Sequence, residues 1–397
     1  MIERLKSAIM NDSVFQTFLN PQQPITCQTP SLSIIPILLL LFFQCSLLHP
    51  QLAFNQNLRL IRLILTPINF WSSLKISIDY CFKPLDQSGI FNFFFSCFGI
   101  HLSLKSLEWG LADDHQLKKI HQIRHEFDLD DDDSKKLKKN DDADESIEND
   151  KKSSDQLTLE SWYIWTVDQF LSARGFQYGW GSHVQPNTRS AMEVFKRLVK
   201  VHIVHVAVVA YSVYIRDIGS ISKVLDSIGL PNHLVFRILT DSISTFAFGL
   251  YIVSITDISY NYYTLLAYLI SSFNQSLPNW IKTSYNLKLF LPLYNSPHLT
   301  NSLNDLWSLH WHQLFRRSFI FIGGIQFSKL FKFLGFNKQL QKIAGLLGCF
   351  LVSGIMHELA IHFVARSPHS NPHYFFNSSG FPGSLLYFML QPSKQVT

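Results

Sequence analysis

Charge is scarce in this sequence. Asp, Glu, Lys and Arg are 16% of the 397 residues, where soluble domains average about a quarter. Beside 47% hydrophobic residues and 34 Phe, that scarcity argues against a soluble fold. The net charge of +5 is spread between segments, so no basic face is offered to nucleic acid and none is expected as a partner. No CxxC spacing occurs among Cys27, Cys45, Cys81, Cys97 and Cys349. These cysteines are expected to be reduced and to serve packing. A Gly-rich phosphate loop, a Gly-x-Ser-x-Gly elbow and an internal repeat are all missing. P-loop, α/β-hydrolase and solenoid readings fall away with them. No cleavable leader is legible: the first apolar run starts near Leu32, behind a long polar stretch, and ends without a small-residue cleavage pattern.

What the sequence has in abundance is apolar runs approaching the roughly 20 residues that cross a hydrocarbon core. Residues 1–30 are a polar leader rich in Pro and Gln, expected to be flexible and to lie on the cytosolic side. Spans are expected at 31–48, 90–104, 194–215, 234–255, 260–273 and 343–364. Two weaker runs, 57–74 with Arg59, Arg62 and Pro67, and 319–333 with Lys329 and Lys332, suit interfacial, re-entrant or short-span positions. Segment 113–155 mixes charges and is almost free of large apolar residues, so it is expected to be disordered. Segment 157–176 is amphipathic, and its Trp162, Tyr163 and Trp165 suit the headgroup region. His202 and His205 share a helix face at i,i+3 and read as a bundle-facing polar pair rather than metal ligands. So many apolar spans can satisfy their backbones only as helices. The expected fold is an all-α, polytopic membrane bundle in three parts. These are 1–112 (leader and transmembrane helices), 113–156 (disordered linker) and 157–397 (transmembrane core).

Two stretches carry candidate chemistry. The first is the span around His357-Glu358, which is apolar and punctuated by Gly345, Gly348, Ser353 and Gly354. Ionisable groups at membrane depth are costly and functional by default, and histidine exchanges its proton near neutral pH. Glu358 lies about 100° around the helix from His357 and does not stack on it. His362 is five positions on, so the sequence misses the H-E-x-x-H zinc spacing and no metal is expected. On the residues alone, His357 as a general base and His357 as a packed polar group both stand open.

The second stretch is 301–317, read as one helix. Leu303, Leu306, Trp307, His310, Trp311, Leu314 and Phe315 form an i, i+3, i+4 stripe, with Asn304, Ser308, His312 and Arg316 opposite. Ser302 and Asp305 give a capping pattern, and Arg316-Arg317 suit the negative end of a helix. In one reading these are caps and interface anchors. In the other, Trp307, Trp311 and the polar face line a cavity, with Arg316 and Arg317 near an anionic group such as a nucleotide phosphate.

Leu291-Pro292-Leu293-Tyr294-Asn295-Ser296-Pro297, the Asn304-Asp305-Leu306-Trp307 core, Trp311-His312 and Arg316-Arg317 together resemble the signature of the wax synthase-like membrane-bound O-acyltransferases. Phe350-Leu-Val-Ser353-Gly354-Ile-Met-His357-Glu358 is similar to the family's later histidine helix. The strong resemblance covers 291–366. Trp165, Asp168 and Arg174-Gly175 to Trp180 resemble an upstream region of fungal-type members. The resemblance implies a multi-pass enzyme, in the endoplasmic reticulum membrane, that moves an acyl group from acyl-CoA to a lipophilic alcohol. His357 would be the catalytic histidine. Asn304, Asp305, Trp307, Trp311, His312, Arg316, Arg317 and Glu358 would be substrate-binding residues. Acyl-CoA would be co-substrate, with no further cofactor. This sequence has Ser308-Leu309-His310 where the family usually has Gly-Arg-Arg. The apolar run 383–390 stops at Gln391, where the family continues, so C-terminal helices are expected to be missing. A non-catalytic or degenerate scaffold stays open on that account. A transporter would call for paired helix breaks in two similar halves, which the sequence does not show.

Overall fold

The computed structural model describes residues 27–84, 88–121, 158–172, 174–175, 189–218, 234–273, 287–302, 305–311 and 313–365, with a few isolated positions between 223 and 285. Among them there is no strand, only an isolated bridge between Gln28 and Tyr80. Gly89–Leu111, Ala191–Ile215, Ser242–Ser272 and Lys338–Ile361 are each long and apolar enough to cross a membrane. The protein is an all-α polytopic membrane protein. The chain divides into two compact units, one of residues 1–183, 300–309 and 313–397, the other of 184–299 and 310–312.

In the first unit, α1 (Ile35–Ser46), α2 (Gln56–Asp79) and α3 (Gly89–Leu111) form an up-down-up set. Helix α1, extended by one 3-10 turn at Leu32–Ile34, is shorter than the expected span. The weak run 57–74 is, in contrast, a continuous 24-residue helix through Pro67. Polar contacts between neighbours make this possible. Gln44 Nε2 donates to Thr66 Oγ1 at 3.1 Å and to the Ser106 carbonyl at 3.1 Å, and Asn69 Nδ2 donates to Gln44 Oε1 at 2.8 Å. Such interhelical bonds hold helices together where burial of apolar surface gives no drive. Gly110 lets α3 approach α2 closely, since a Cβ there would overlap the Thr66 side chain.

Two expectations fail here. Cys27 and Cys81 are not reduced but disulfide-bonded, their Cα atoms 5.6 Å apart. The Gln28–Tyr80 bridge draws the leader alongside the end of α2 and brings the two thiols together. Only Cys45, Cys97 and Cys349 are free thiols. The linker is also not wholly disordered, because Asp114–His121 forms helix α4. Leu117 and Ile120, one turn apart, are buried beside Leu41, Leu48 and Trp109. Asp113 caps the helix reciprocally, Gln116 N–H donating to Asp113 Oδ1 and Asp113 N–H to Gln116 Oε1, both at 2.9 Å. Residues 122–156 lie outside the described residues, as do 383–390.

Helix α5 (Leu159–Leu171) starts with a Thr158–Ser161 capping box. Its aromatics pack on protein: Trp162 and Tyr163 on Phe42, Trp165 on His49 at 5.4 Å. Further on, Arg316–Ser318, a wide π-type segment Phe319–Ile325 and Gln326–Phe333 follow one another as a single rod, α8. It turns at Gly335 (φ 81°) into the long α9 (Lys338–Ala365). Gly323 and Gly348 face each other here, and a Cβ on either would overlap the other's carbonyl.

The second unit is built on α6 (Ala191–Ile218) and α7 (Leu234–Ser272). The expected break at Thr256-Asp257 does not occur, and α7 is one 39-residue helix. Arg197 of α6 meets Asp257 at 2.8 Å, which neutralises the carboxylate that was to end the span. Thr256 turns its hydroxyl back to the Ile252 carbonyl at 2.8 Å. His202 and His205 do face the helix pair, His205 Nδ1 lying 2.9 Å from Ser254 Oγ and His202 edge-on to Tyr262 at 5.7 Å.

Candidate active site

Helix α9 sets the position of His357. Met356, Ala360 and Phe363 form its buried face, packed with Leu74 and Ile78 of α2 and Cys97 and Ile100 of α3. His357 stands beside that face, half-buried, its ring 6.4 Å from Phe93 of α3. Its Nδ1 lies 2.8 Å from the Ser353 carbonyl. A carbonyl can only accept, so Nδ1 carries the hydrogen, and a neutral ring then keeps its lone pair on Nε2. That is the tautomer a general base needs. The bond alone is no mark of catalysis, because His202 makes the same i−4 contact, with Leu198, at 2.8 Å.

The 301–317 motif is not one helix. Ser302 does act as its cap, accepting from the Asp305 N–H at 3.1 Å. After that, Leu306–His310 is a single π-type turn, and the chain is irregular until Arg316. The His310 ring and its carbonyl are both held by Asn295, the latter through the Asn295 N–H at 3.1 Å. The expected stripe is therefore cut, and its two tryptophans belong to different units. Trp307 packs edge-on against Phe350 of α9 at 6.3 Å. Trp311 packs edge-on against Tyr294 at 5.2 Å, within the second unit. Tyr294 also bonds Thr256 at 2.9 Å, and burial pushes its phenol up to about 12.

Phe350 and His357 are seven residues apart and share one stripe of α9, so the Trp307 contact lies about 10 Å along the helix from His357. The structure thus brings Trp307 and His357 onto a common face. Glu358 is half-buried on an adjacent face. Asp305 is half-buried at the start of the π-type turn. The side chains of Asn304 and His312 lie outside the described residues.

Arg316 and Arg317 correct the expectation most sharply. They open α8 instead of closing a helix, so the helix dipole does not favour them. Arg317 is held by Glu108 of α3, whose other oxygen is 3.6 Å from Lys105 Nζ. All three side chains are deeply buried, at 11%, 0% and 5% exposure for Arg317, Glu108 and Lys105. Glu108 is fifteen residues beyond Phe93, about 22 Å along α3. Arg317 and His357 therefore lie near opposite ends of that helix. Sequence reasoning missed Lys105 and Glu108, which an i,i+3 pair of opposite sign just past the apolar run 90–104 could have flagged.

The geometry defines a helical membrane protein with a histidine at membrane depth. Comparison with known proteins adds a likeness over part of the chain. Residues 290–377 match the model of the membrane bound O-acyl transferase family, and the wax synthase-like resemblance is supported by two curated relatives. The chain is similar to a protein of Arabidopsis thaliana named probable long-chain-alcohol O-fatty-acyltransferase 1, with 32% identity over 77 residues, 19% of this chain and 22% of the relative. It is also similar to acyl-CoA–sterol O-acyltransferase 1 of the same plant, with 35% identity over 94 residues, 23% of this chain and 26% of the relative. The chain thus spans about a quarter of the length of the curated relatives it matches. No solved structure matches it.

Proposed function

We propose that the protein is an O-acyltransferase that moves an acyl group from acyl-CoA to the hydroxyl of a lipophilic alcohol, with His357 as general base. The observation that carries the reading is the Nδ1–Ser353 bond on a membrane-spanning helix within the family-matched segment. It leaves Nε2 as the basic nitrogen. In the step, Nε2 takes the hydroxyl proton while the alcohol oxygen attacks the thioester carbon. The C–S bond then breaks, and the CoA thiolate leaves and recovers the proton from the imidazolium. The products are an ester and free CoA. A thiolate is a good leaving group, so no acyl-enzyme is needed. Trp307, packed on Phe350 of the α9 stripe that carries His357, lines the approach about 10 Å along the helix from it, with Asp305 just before the same turn. Glu108 counters the charge of Arg317, so the pair acts as a structural lock more than as a phosphate clamp. The names of the relatives support a long-chain alcohol or a sterol as acceptor. The endoplasmic reticulum membrane is the proposed location.

The test is acyl transfer from labelled acyl-CoA to a panel of long-chain alcohols and sterols in microsomes containing the full chain. Wild-type transfer that falls at least 100-fold in His357→Ala supports the reading. Transfer that survives the substitution removes His357 from the chemistry, and no transfer to any acceptor refutes the activity.

A further inference from the structure

The two ends of the first unit differ in chemistry. We propose that the end bearing the Cys27–Cys81 disulfide faces an oxidising compartment, such as the lumen of the secretory pathway. The opposite end, where α4 packs and from which the chain continues beyond His121, then faces the cytosol. The inference does not depend on the proposed activity.

Helix α3 is long and apolar enough to span, so its Gly89 and Leu111 ends lie on opposite sides of the membrane. The disulfide belongs to the Gly89 end. Gln28 N–H donates to the Asp79 carbonyl and Cys81 N–H to the Gln28 carbonyl, both at 2.8 Å. Phe82 N–H in turn bonds Asn92 Oδ1 in the first turn of α3 at 2.7 Å. Structural disulfides persist in oxidising compartments and are rare in the cytosol.

Charge points the same way, independently of the thiols. At the Leu111 end, Arg59 meets Asp114 at 3.6 Å and Lys329 meets Asp113 at 2.8 Å. Exposed Lys118, Lys332, Lys338 and Lys342 join them. Among the described residues, the disulfide end has Lys75 and Lys83. An excess of Lys and Arg close to the ends of spans marks the cytosolic side, and carboxylates count for little in that balance. Across this unit the helices alternate consistently. Gly345 and Gly348 of α9 lie on Gly324 and Gly323 of α8, whereas Met356 and Phe363 lie with Ile78 and Cys97. Helix α9 therefore runs from the basic end towards the disulfide end. His357, beside Phe93, stands about one helical turn, roughly 6 Å, inside the Gly89 end of α3. The histidine stands in the half of the membrane nearest the oxidising side.

The experiment uses the full chain in sealed microsomes, with one epitope at the N-terminus and another inserted at 135–140, treated with external protease. The expected pattern is loss of the insert epitope without detergent and retention of the N-terminal epitope until detergent is added. Any other pattern overturns the orientation. As a second measurement, peptide mass spectrometry after alkylation in denaturant should find Cys27 and Cys81 unmodified and linked, and Cys45, Cys97 and Cys349 alkylated. Free thiols at Cys27 and Cys81 would overturn the covalent half of the argument.

Discussion

Removing the charge of Glu108 tests whether Arg317, the second residue of the Arg316-Arg317 pair, is locked into the fold. The carboxylate is fully buried and shared between Arg317 and Lys105, whose side chains are 11% and 5% exposed. Glu108→Gln keeps the shape and leaves both cations without their shared carboxylate. Deleting one partner of a buried ion pair costs about 3–5 kcal/mol, because the remaining charge has lost its compensation. At about 2 °C per kcal/mol for a chain of this size, unfolding of the detergent-solubilised protein should fall by about 6–10 °C. The comparison is made at one scan rate, since heating a membrane protein is rarely reversible. Adding Lys105→Met removes one of the two cations and should restore roughly half of the loss, a coupling that a double-mutant cycle reads directly. A fall of under about 2 °C in Glu108→Gln, or a double variant no more stable than the single one, would refute the reasoning.

Three further outcomes are expected. Gly348→Val places a side chain into the backbone of Gly323 and should destabilise the protein by about 1–3 kcal/mol or more. Gly249→Ala, with open space around it, should be neutral or up to about 1 kcal/mol stabilising; thermal scans of the pair check both. His357→Ala should abolish acyl transfer while moving the unfolding temperature little, because the ring is only half-buried and its Nδ1 is bonded within its own helix. The Asp113–Lys329 pair gives a pH signature. Burial would raise the Asp113 carboxyl, but Lys329 and the Gln116 N–H outweigh it and hold the group below its ordinary value. A depressed carboxylate stabilises the fold above its unfolded value and loses that contribution as pH falls through the folded one. Asp113→Asn should therefore be slightly less stable than wild type at pH 6, by under about 1 kcal/mol for so exposed a pair. The gap should close as pH falls through the depressed value of Asp113, and a gap that stays constant into strong acid would show that the charge is not responsible.

The spans around 90–104, 194–215 and 343–364 were legible because apolar length is a local property, and the structure contains each within a helix six to eight residues longer. His357 was legible for the same reason, as an ionisable group inside such a run. What the sequence could not decide were matters of pairing. Thr256-Asp257 reads as a break until Arg197, sixty residues away, supplies the opposite charge. Arg316-Arg317 read as the end of a helix until Glu108, 209 residues away, accepts the second arginine. Asp114–His121 reads as solvated chain until α1 and α3 offer Leu117 and Ile120 a core. The 301–317 periodicity is real, but Asn295 captures His310 and cuts the stripe, which local propensity cannot foresee. By itself, the sequence determined where the strongly apolar runs lie and the histidine within one of them, but not that 234–255 and 260–273 form a single helix. The tertiary structure alone decided which charges are neutralised, which cysteines meet and which motif residues share a face with His357. Those outcomes depend on contacts between segments far apart in the chain, and no local window contains them.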